Sequence, residues 1–417
     1  MAGLNLPLPR LRIYSSRNQY FRVVGDLAAR RAMAGDDVER LERTLEKRLG
    51  IAHAVAMPMA RVGIHLAVKH IVRPGQTVIL SPYTIADVVN MVICAGGIPV
   101  FADIDRKTCN ISADEVERLI DTNTGAVLIT HFYGMMADVT RIAAICEHYG
   151  IPLIEDAAQA FGASLDGRPA GTFGKAGIYS FGMYKNVNSF LGGMLVTNDA
   201  ELSFSIRKEI SEWPYIPIKQ YLRKVASAAI TDLVTFPPVF QSSTFWLFRY
   251  AFLNRVDGIN NRLKIDVDPV RKSTFPADYR TRMTPLQARL ILSQLDRVDE
   301  DTQHRVAAAR LYYEGLHDLP KLILPPVCED GRHMYWYYPI QYSPRRDLVT
   351  FSMKRLRDVT ESYHRNCAAL SCFAPFAQPC PNAQETSDSL IYLPTYPRYT
   401  ENQIRQTVSV IRQFFGH

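Results

Sequence analysis

Short apolar runs alternate with longer amphipathic segments through the first half of the chain. The short runs predict buried strands, and the segments that repeat apolar residues every three or four positions predict helices. A regular alternation of strand and helix is typical of a mostly parallel sheet with helices on both faces. The predicted strands are residues 54–58, 77–81, 98–103, 126–130, 153–155 and 177–180, and the predicted helices are residues 60–72, 84–95 and 138–149.

The pattern changes in the last third of the chain. Residues 282–305 form a long amphipathic segment that predicts one helix, and short strands such as residues 335–342 then mix with further helices. At 417 residues the chain is also too long for one core of ordinary size. We therefore predict a large α/β domain with its N-terminal segment in residues 1–284 and a smaller C-terminal α/β domain in residues 285–417.

Composition and charge narrow the class of protein. Hydrophobic residues make up 47% of the chain and charged residues 21%, as in ordinary globular proteins. The net charge of +7 suits an anionic ligand, but the lysines and arginines are scattered, so we expect no nucleic-acid partner. The seven cysteines lack a CxxC spacing and indicate reduced thiols, and we expect no metal site. The N-terminus does not match a signal peptide, which favours a cytoplasmic location.

The centre of the chain carries the densest chemical signal. A buried strand ends in Glu155 and Asp156, and the carboxyl edge of an open α/β sheet is where such folds bind ligands. A second apolar run leads to Lys185, and Gly192 and Gly193 follow soon after. A carboxylate at a strand end, a glycine-rich loop and a lysine after the next strand are typical of a pyridoxal phosphate (PLP) site, where the lysine amine forms a Schiff base.

Several motifs of this region stand in the order found in one enzyme family. They are Glu155-Asp156, Gln159, Gly162-Ala163, Gly167, Gly171, Gly174, Ser180-Phe181, Lys185-Asn186 and Gly192-Gly193. In this register the chain resembles the DegT/DnrJ/EryC1/StrS sugar aminotransferase family, within the fold type I PLP-dependent enzymes. The resemblance extends over most of the chain, and it implies the fold type I PLP-dependent transferase fold with the PLP-binding domain in residues 1–284. Further similar stretches are residues 73–105, 130–139, 282–305 and 393–404.

The resemblance also implies a role for each site residue. Lys185, the predicted catalytic residue, would join the cofactor as a Schiff base and move the proton between the substrate carbon and the cofactor. Asp156 would stand beside the pyridine nitrogen and keep it protonated, so that the ring can accept electrons. Gln159 would contact the ring or its phenolic oxygen. The Ser180 hydroxyl would bind the phosphate.

The sequence departs from the family pattern around the cofactor. Relatives have Ser-Gly-Thr where this chain has Met59-Ala60-Arg61, and an asparagine donated by the partner subunit where it has Arg280. In one interpretation Ala60 stays at the phosphate, and Arg61 and Arg280 grip it through their guanidinium groups. In the other the arginines point elsewhere and cofactor affinity is lower. Ile85 replaces an aromatic residue on the ring, so apolar packing remains without stacking.

A long apolar insertion follows the central region. Relatives need only a short connection where this chain has about residues 205–275. Residues 225–253 carry Asp232 and Arg249 as their charges, and a basic flank at residues 219–224 precedes them. Two prolines and polar residues break the apolar run below membrane-spanning length. A dimer-interface element, a buried lid, and contact with a membrane surface or a lipid-linked substrate all stay open, so the protein could be peripheral to a membrane.

These observations predict a PLP-dependent aminotransferase that acts on a keto sugar carried by a nucleotide or a similar carrier. By resemblance, glutamate is the amino donor and the assembly is a homodimer with shared active sites. One alternative is a catalytically silent or regulatory protein on the same fold, which the altered Met59-Ala60-Arg61 favours. The other is a PLP-dependent sugar dehydrase of the same family. Those dehydrases carry histidine at the lysine position, so Lys185 argues against them.

Overall fold

In a computed structural model of the chain, the described residues are 6–13, 17–256, 258, 268–328 and 333–417. Within them the helices are α1 (Arg17–Ala28), α2 (Asp37–Leu49), α3 (Ala60–Ile71), α4 (Ala86–Cys94), α5 (Ala113–Leu119), α6 (Val139–Tyr149), α7 (Ala200–Ser211), α8 (Ile218–Val234), α9 (Pro237–Val239), α10 (Phe245–Leu253), α11 (Pro285–Leu292), α12 (Val298–Leu316), α13 (Arg345–Lys354), α14 (Pro381–Ser389) and α15 (Glu401–Phe414). The strands are β1 (His53–Met57), β2 (Thr77–Leu80), β3 (Tyr83–Thr84), β4 (Ile98–Phe101), β5 (Thr124–Thr130), β6 (Leu153–Asp156), β7 (Ser164–Leu165), β8 (Arg168–Pro169), β9 (Ala176–Ser180), β10 (Gly193–Thr197), β11 (Tyr338–Gln341), β12 (Thr360–Glu361), β13 (Arg365–Asn366) and β14 (Leu390–Leu393).

A seven-stranded sheet in the order β1-β10-β9-β6-β5-β2-β4 forms the centre of the fold. Strands β9, β6, β5, β2 and β4 run parallel to one another, and β10 is antiparallel to both β1 and β9. Every residue of β5 is buried, as expected where helices cover both faces of a parallel sheet. The predicted α/β fold class with a mostly parallel sheet is confirmed.

Local signals explain why the predicted helices match the observed ones closely. At the start of α6, the Asp138 carboxylate accepts a hydrogen bond from the Arg141 N–H. Gly50 ends α2 and Gly150 ends α6, with φ angles of 63° and 66° in the left-handed region that favours glycine. Because β6 and β9 pair in parallel, their carboxyl ends lie at the same edge of the sheet.

The prediction of one long helix at residues 282–305 is wrong. The chain forms α11 and α12, with a short 3-10 turn between them. The Gln294 side-chain amide donates to the Leu290 carbonyl at 2.6 Å and to the Asn188 carbonyl at 2.7 Å. The side chain thereby satisfies a carbonyl at the end of α11 and ties the break to the loop after Lys185.

An antiparallel sheet, β11-β14-β12, forms the C-terminal part, where α12 and α15 pack together. This part is joined to the central sheet region by β13, which pairs with β3. The strand predicted at residues 335–342 begins only at Tyr338, because Tyr335 has a φ of 45°, outside the range of a strand. The domain boundary predicted between residues 284 and 285 stays a prediction.

The described part of the predicted insertion is helical. Helix α8 packs Tyr221, Val225 and Ala228 against α1 and α11. No described helix combines the length and the apolar character that crossing a membrane requires. Residue 257 and residues 259–267 lie outside the described residues, and the roles predicted for residues 225–253 stay predictions. Within residues 225–253, the large apolar side chains that remain exposed are Ile230, Leu233, Phe236, Trp246, Leu247 and Tyr250.

Candidate active site

Asp156 ends β6 at the carboxyl edge of the central sheet, where the sequence predicts a ligand-binding carboxylate. The residue is 5% exposed, and its Oδ1 accepts a hydrogen bond from the Ala158 N–H at 3.0 Å. Burial raises the pKa of the carboxyl, while the Ala158 N–H and the charge of Lys185 act in the opposite direction. A buried carboxylate in this position is suited to pair with a cationic ring nitrogen.

Lys185 lies in the loop after β9, which the Asn186 side chain fastens by donating to the Phe161 carbonyl at 2.7 Å. The Lys185 Nζ lies 4.1 Å from the centre of the Trp336 ring. The side chain keeps some solvent contact, but the surrounding protein desolvates the amine and lowers its pKa to about 8, against the opposing charge of Asp156. Near pH 8 a large fraction of the amine is therefore neutral and able to act as a nucleophile or a base.

Glu155, the neighbour of Asp156, organises the floor of the site. It is fully buried, and His131 Nε2 lies 2.9 Å from its Oε2. His131 Nδ1 accepts a hydrogen bond from the Ala137 N–H at 3.1 Å, so the ring proton is on Nε2, which donates a hydrogen bond to Glu155. The carboxylate also accepts three backbone N–H groups from residues 171–174, at 2.5 to 2.9 Å. Glu155 thus ties the glycine-rich loop to the strand end that carries Asp156.

Ser180, Gly193 and Ala60 meet at the start of α3. Ser180 pairs with Gly193 across β9 and β10, and a Cβ atom on Gly193 would lie 2.6 Å from the Ala60 nitrogen. Only glycine therefore lets the helix start approach this strand pair so closely. The Met59 side chain does not cap the helix, and the Gly182 N–H donates to Ser180 Oγ at 3.4 Å. The first N–H groups of α3 and the Ser180 hydroxyl are donors suited to an anion.

Arg61 and Arg280, the two predicted phosphate-gripping residues, take different positions. Arg61 pairs with the Asp87 carboxylate, and its Nη1 lies 3.1 Å from the Tyr279 hydroxyl. Arg280 is exposed, and its guanidinium lies 6.0 Å from the centre of the Phe275 ring. Arg61 follows Ala60 at the start of α3. Binding of a cofactor phosphate by Arg61 and Arg280 stays a prediction.

Gln159 and Ile85, the remaining predicted cofactor contacts, are both half-buried. Gln159 Oε1 accepts the Tyr133 N–H at 2.8 Å, and Tyr133 has a φ of 54°, a left-handed conformation that is uncommon for a residue other than glycine. Ile85 is the residue immediately before α4. Their contacts with a cofactor stay predictions.

A match to the sequence model of a protein family establishes the membership that the central motifs indicate. The model of the DegT/DnrJ/EryC1/StrS aminotransferase family matches residues 16–212 and 250–412. The chain belongs to this family. The prediction made from the motifs is confirmed.

Relatives and solved structures agree with that membership. The spore coat polysaccharide biosynthesis protein SpsC of Bacillus subtilis is 28% identical, over 91% of this chain and 89% of its own length. A GDP-perosamine synthase of Caulobacter vibrioides is 26% identical, over 91% of this chain and 90% of its own length. Helicobacter pylori PseC, an aminotransferase involved in the biosynthesis of pseudoaminic acid, has a TM-score of 0.76 and 19% identity, over 98% of this chain and 99% of that chain. The PseC likeness shows a shared fold.

The DegT-family match leaves residues 213–249 uncovered. These residues lie within the predicted insertion and contain α8 and α9. The helices are therefore an addition to the part of the chain that the family shares.

Trp336 is a site residue that the DegT-family motifs do not predict. Its indole N–H donates to the Tyr184 carbonyl at 3.1 Å, and its backbone N–H donates to the Tyr133 carbonyl at 2.7 Å. The Arg305 guanidinium donates to its carbonyl at 2.9 Å. These bonds hold the indole ring over Lys185. No spacing in the sequence relates the two residues.

The structure also contains a buried polar network that no sequence motif indicates. Five side chains bond to one another: Tyr83, Tyr133, Ser362, His364 and Tyr392. Burial first, and the charge of Lys185 second, lower the pKa of His364 to about 3, so its imidazole stays neutral. The sequence shows a histidine after Tyr363, but a lone histidine carries no signal of such a network. The network joins the strand before α4 to the C-terminal sheet.

Proposed function

We propose that this DegT-family protein is a PLP-dependent aminotransferase that transfers an amino group from glutamate to a keto sugar on a nucleotide or similar carrier. The observation that carries the proposal is the meeting of Lys185, whose amine pKa is lowered to about 8, with the buried Asp156 carboxylate. Such an enzyme needs an exchangeable amine and a fixed negative charge at one edge of its sheet.

The residues present fit PLP at both of its ends. Asp156 offers a buried carboxylate, and the charge of Lys185 opposes the rise in its pKa that burial causes. Such a carboxylate suits a protonated ring nitrogen. At the opposite end, the approach of Ala60 to Gly193 leaves helix N–H groups beside the Ser180 hydroxyl, which suits a phosphate. Gln159 and Ile85 would contact the ring between these ends. When bound, PLP supplies a ring that accepts electrons from the substrate carbon.

Side chains of this protein would transfer the substrate proton and limit the access of water. The Lys185 Nζ, about half of it neutral near pH 8, would take a proton from the substrate carbon and return it in the second half of the reaction. The Trp336 indole covers one side of this amine and limits the approach of water. The Ala158 N–H stabilises the charged form of Asp156 against the rise in pKa that burial causes. Because the donor and the keto substrate would use one amine in turn, ping-pong kinetics are expected.

Support for the substrate class comes from the relatives. A GDP-perosamine synthase and a spore coat polysaccharide biosynthesis protein are similar to this chain over about nine-tenths of its length. We propose a homodimer with shared sites, as the family resemblance implies, and the exposed Arg280 guanidinium is available to a second subunit.

A catalytically silent regulatory protein is the second candidate. The altered Met59-Ala60-Arg61 at the start of α3 favours it, because relatives have Ser-Gly-Thr in this register. The electrostatic interaction of the buried Asp156 carboxylate with Lys185 favours the aminotransferase.

The deciding experiment is a visible absorption spectrum of the purified protein with PLP, before and after glutamate is added. We expect a band from bound cofactor in the wild type that changes with glutamate and is lost in Lys185→Ala. Lys175→Ala is the matched control, because Lys175 is exposed and pairs with Asp199. Failure of the wild type to bind PLP would favour the regulatory protein. A cofactor band that does not change when glutamate is added would contradict glutamate as the amino donor.

A further inference from the structure

A segment of residues 268–280, called the strap below, lies across α3 and α4. The Asn90 side chain on α4 donates to the Val270 carbonyl and accepts the Lys272 N–H, both at 2.9 Å. Farther along, the Phe275 ring stacks on His65 of α3 with 3.9 Å between ring centres and 13° between planes. These contacts fix the strap on helices of its own chain.

The strap places two of its polar side chains beside Arg61. The Tyr279 hydroxyl lies 3.1 Å from Arg61 Nη1 and 3.4 Å from the Lys272 Nζ, and it donates to Asp87 Oδ2 at 3.1 Å. The Asp87 carboxylate also pairs with both Arg61 and Lys272. Burial alone would raise the pKa of Asp87, but these two cations lower it overall. Asp87 thus holds an arginine, a lysine and a tyrosine in one cluster.

Through Arg61, this cluster is attached to the start of α3, which forms the phosphate end of the proposed PLP site. Arg61 is the second residue of α3 and follows Ala60, whose nitrogen is next to Gly193 and the Ser180 strand. Asp87 is the second residue of α4. These groups are hydrogen-bond donors that suit a phosphate: a guanidinium fork, an ammonium group, a phenolic hydroxyl and helix N–H groups.

We infer that the strap completes the phosphate site of its own chain, with Lys272 and Tyr279 binding the cofactor phosphate together with Arg61. The inference rests on the proposed function, since it assigns residues to the phosphate of PLP. It differs from the arrangement implied by the family resemblance, in which the partner subunit donates an asparagine to that phosphate. Asp87 then acts as a positioning residue that holds the cations in place.

The first test compares ligands with and without a phosphate. Dissociation constants are measured for PLP, for pyridoxal and for inorganic phosphate with the wild type, Lys272→Met and Tyr279→Phe. We expect Lys272→Met to weaken PLP and phosphate about tenfold or more and Tyr279→Phe about threefold, with pyridoxal changed less than twofold. Lys69→Met is the matched control, because Lys69 lies on α3 but pairs with Glu209.

The outcomes separate this inference from the proposed function. If the wild type binds PLP and neither variant weakens that binding, the inference about the strap is overturned and the proposed function is not. Equal weakening of PLP and pyridoxal would also overturn it, because the phosphate would not be the group recognised. Failure of the wild type to bind both PLP and inorganic phosphate would overturn both proposals. Tyr279→Phe removes only a hydroxyl, so it remains informative if Lys272→Met folds poorly.

A second test asks whether the strap serves its own subunit. Chains carrying Lys185→Ala are co-expressed with chains carrying Lys272→Met and Tyr279→Phe, and mixed assemblies are purified through two different tags. We expect no site with wild-type PLP affinity, because each site then lacks either its lysine or its own strap. Recovery of one tight PLP site per mixed assembly would show that the strap acts across subunits and would overturn the inference.

Discussion

The Lys185 amine lies 4.1 Å from the centre of the Trp336 ring, so an aromatic face from the C-terminal part of the chain covers the proposed catalytic group. Such a contact stabilises the charged ammonium by about 0.5–2 kcal/mol, because the ring face carries negative charge density. Desolvation acts in the opposite direction and lowers the pKa of the amine to about 8. The ring and the burial together set the pH at which Lys185 becomes reactive.

Trp336→Leu should therefore lower the pKa of Lys185 by roughly 0.5–1 unit. The measurement is the pH dependence of the rate at which the cofactor-free protein captures pyridoxal, since this rate follows the neutral amine. The wild-type rate should rise with pH to a midpoint near 8, and the midpoint should move to lower pH in the variant. Trp246→Phe, at an exposed tryptophan of α10, should leave the midpoint unchanged. An identical midpoint in Trp336→Leu would show that the ring does not act on the amine.

Glu155→Ala should lower the free energy of unfolding by about 3–5 kcal/mol. The substitution leaves the buried His131 N–H and three backbone N–H groups of residues 171–174 without their acceptor. Urea denaturation of the cofactor-free protein measures the change. Glu300→Ala is the control, because the Glu300 side chain is 77% exposed, and it should change the stability by less than about 0.5 kcal/mol. A comparable loss in both variants would contradict the anchoring role of Glu155.

Gly193→Ala should weaken PLP about tenfold or more and pyridoxal by much less. The added Cβ would lie 2.6 Å from the Ala60 nitrogen and push the start of α3 away from Ser180. Dissociation constants for the two ligands test this expectation. Gly25→Ala is the matched control, because a Cβ there meets no atom within 4 Å. Unchanged PLP affinity in Gly193→Ala would show that the start of α3 does not bind the phosphate.

His65 should make the protein less stable as the pH falls from about 6.5 to 4. Burial, more than any other cause, lowers the pKa of this histidine from 6.5 to about 4. The unfolded chain therefore binds the proton first in that window, and proton uptake favours unfolding. The loss should amount to about 3 kcal/mol.

His65→Phe tests this expectation, because it keeps an aromatic ring against Phe275 but cannot take up a proton. The difference in unfolding free energy between pH 7 and pH 4 should be smaller in the variant than in the wild type. His304→Phe, at an exposed histidine of α12, should behave like the wild type. Equal pH dependence in all three proteins would exclude His65 as a source of acid sensitivity.

Much of the fold could be predicted because its signals are local. The helix predicted at residues 138–149 appears as α6, whose first residues are capped by Asp138 and whose end is set by Gly150. The long helix predicted at residues 282–305 failed for the complementary reason. At its break the Gln294 side chain donates a hydrogen bond to the distant Asn188 carbonyl, a contact that no periodicity can show.

The candidate site divides in the same way. Asp156, Ser180 and Lys185 follow apolar strands that are adjacent in the sheet, so their meeting at one edge could be expected from the sequence. Trp336 could not be expected there, because its backbone is held by a carbonyl of Tyr133 that belongs to a different part of the chain.

The sequence by itself determined most of the strand and helix order in the first half of the chain, the family membership and the residues at the strand ends, because apolar periodicity, capping residues and glycines act over a few positions. Only the tertiary structure decided that Trp336 covers Lys185 and that Lys272 and Tyr279 of the strap stand beside Arg61. These contacts join residues far apart in the chain, and each depends on the packing of many side chains at once rather than on any local pattern.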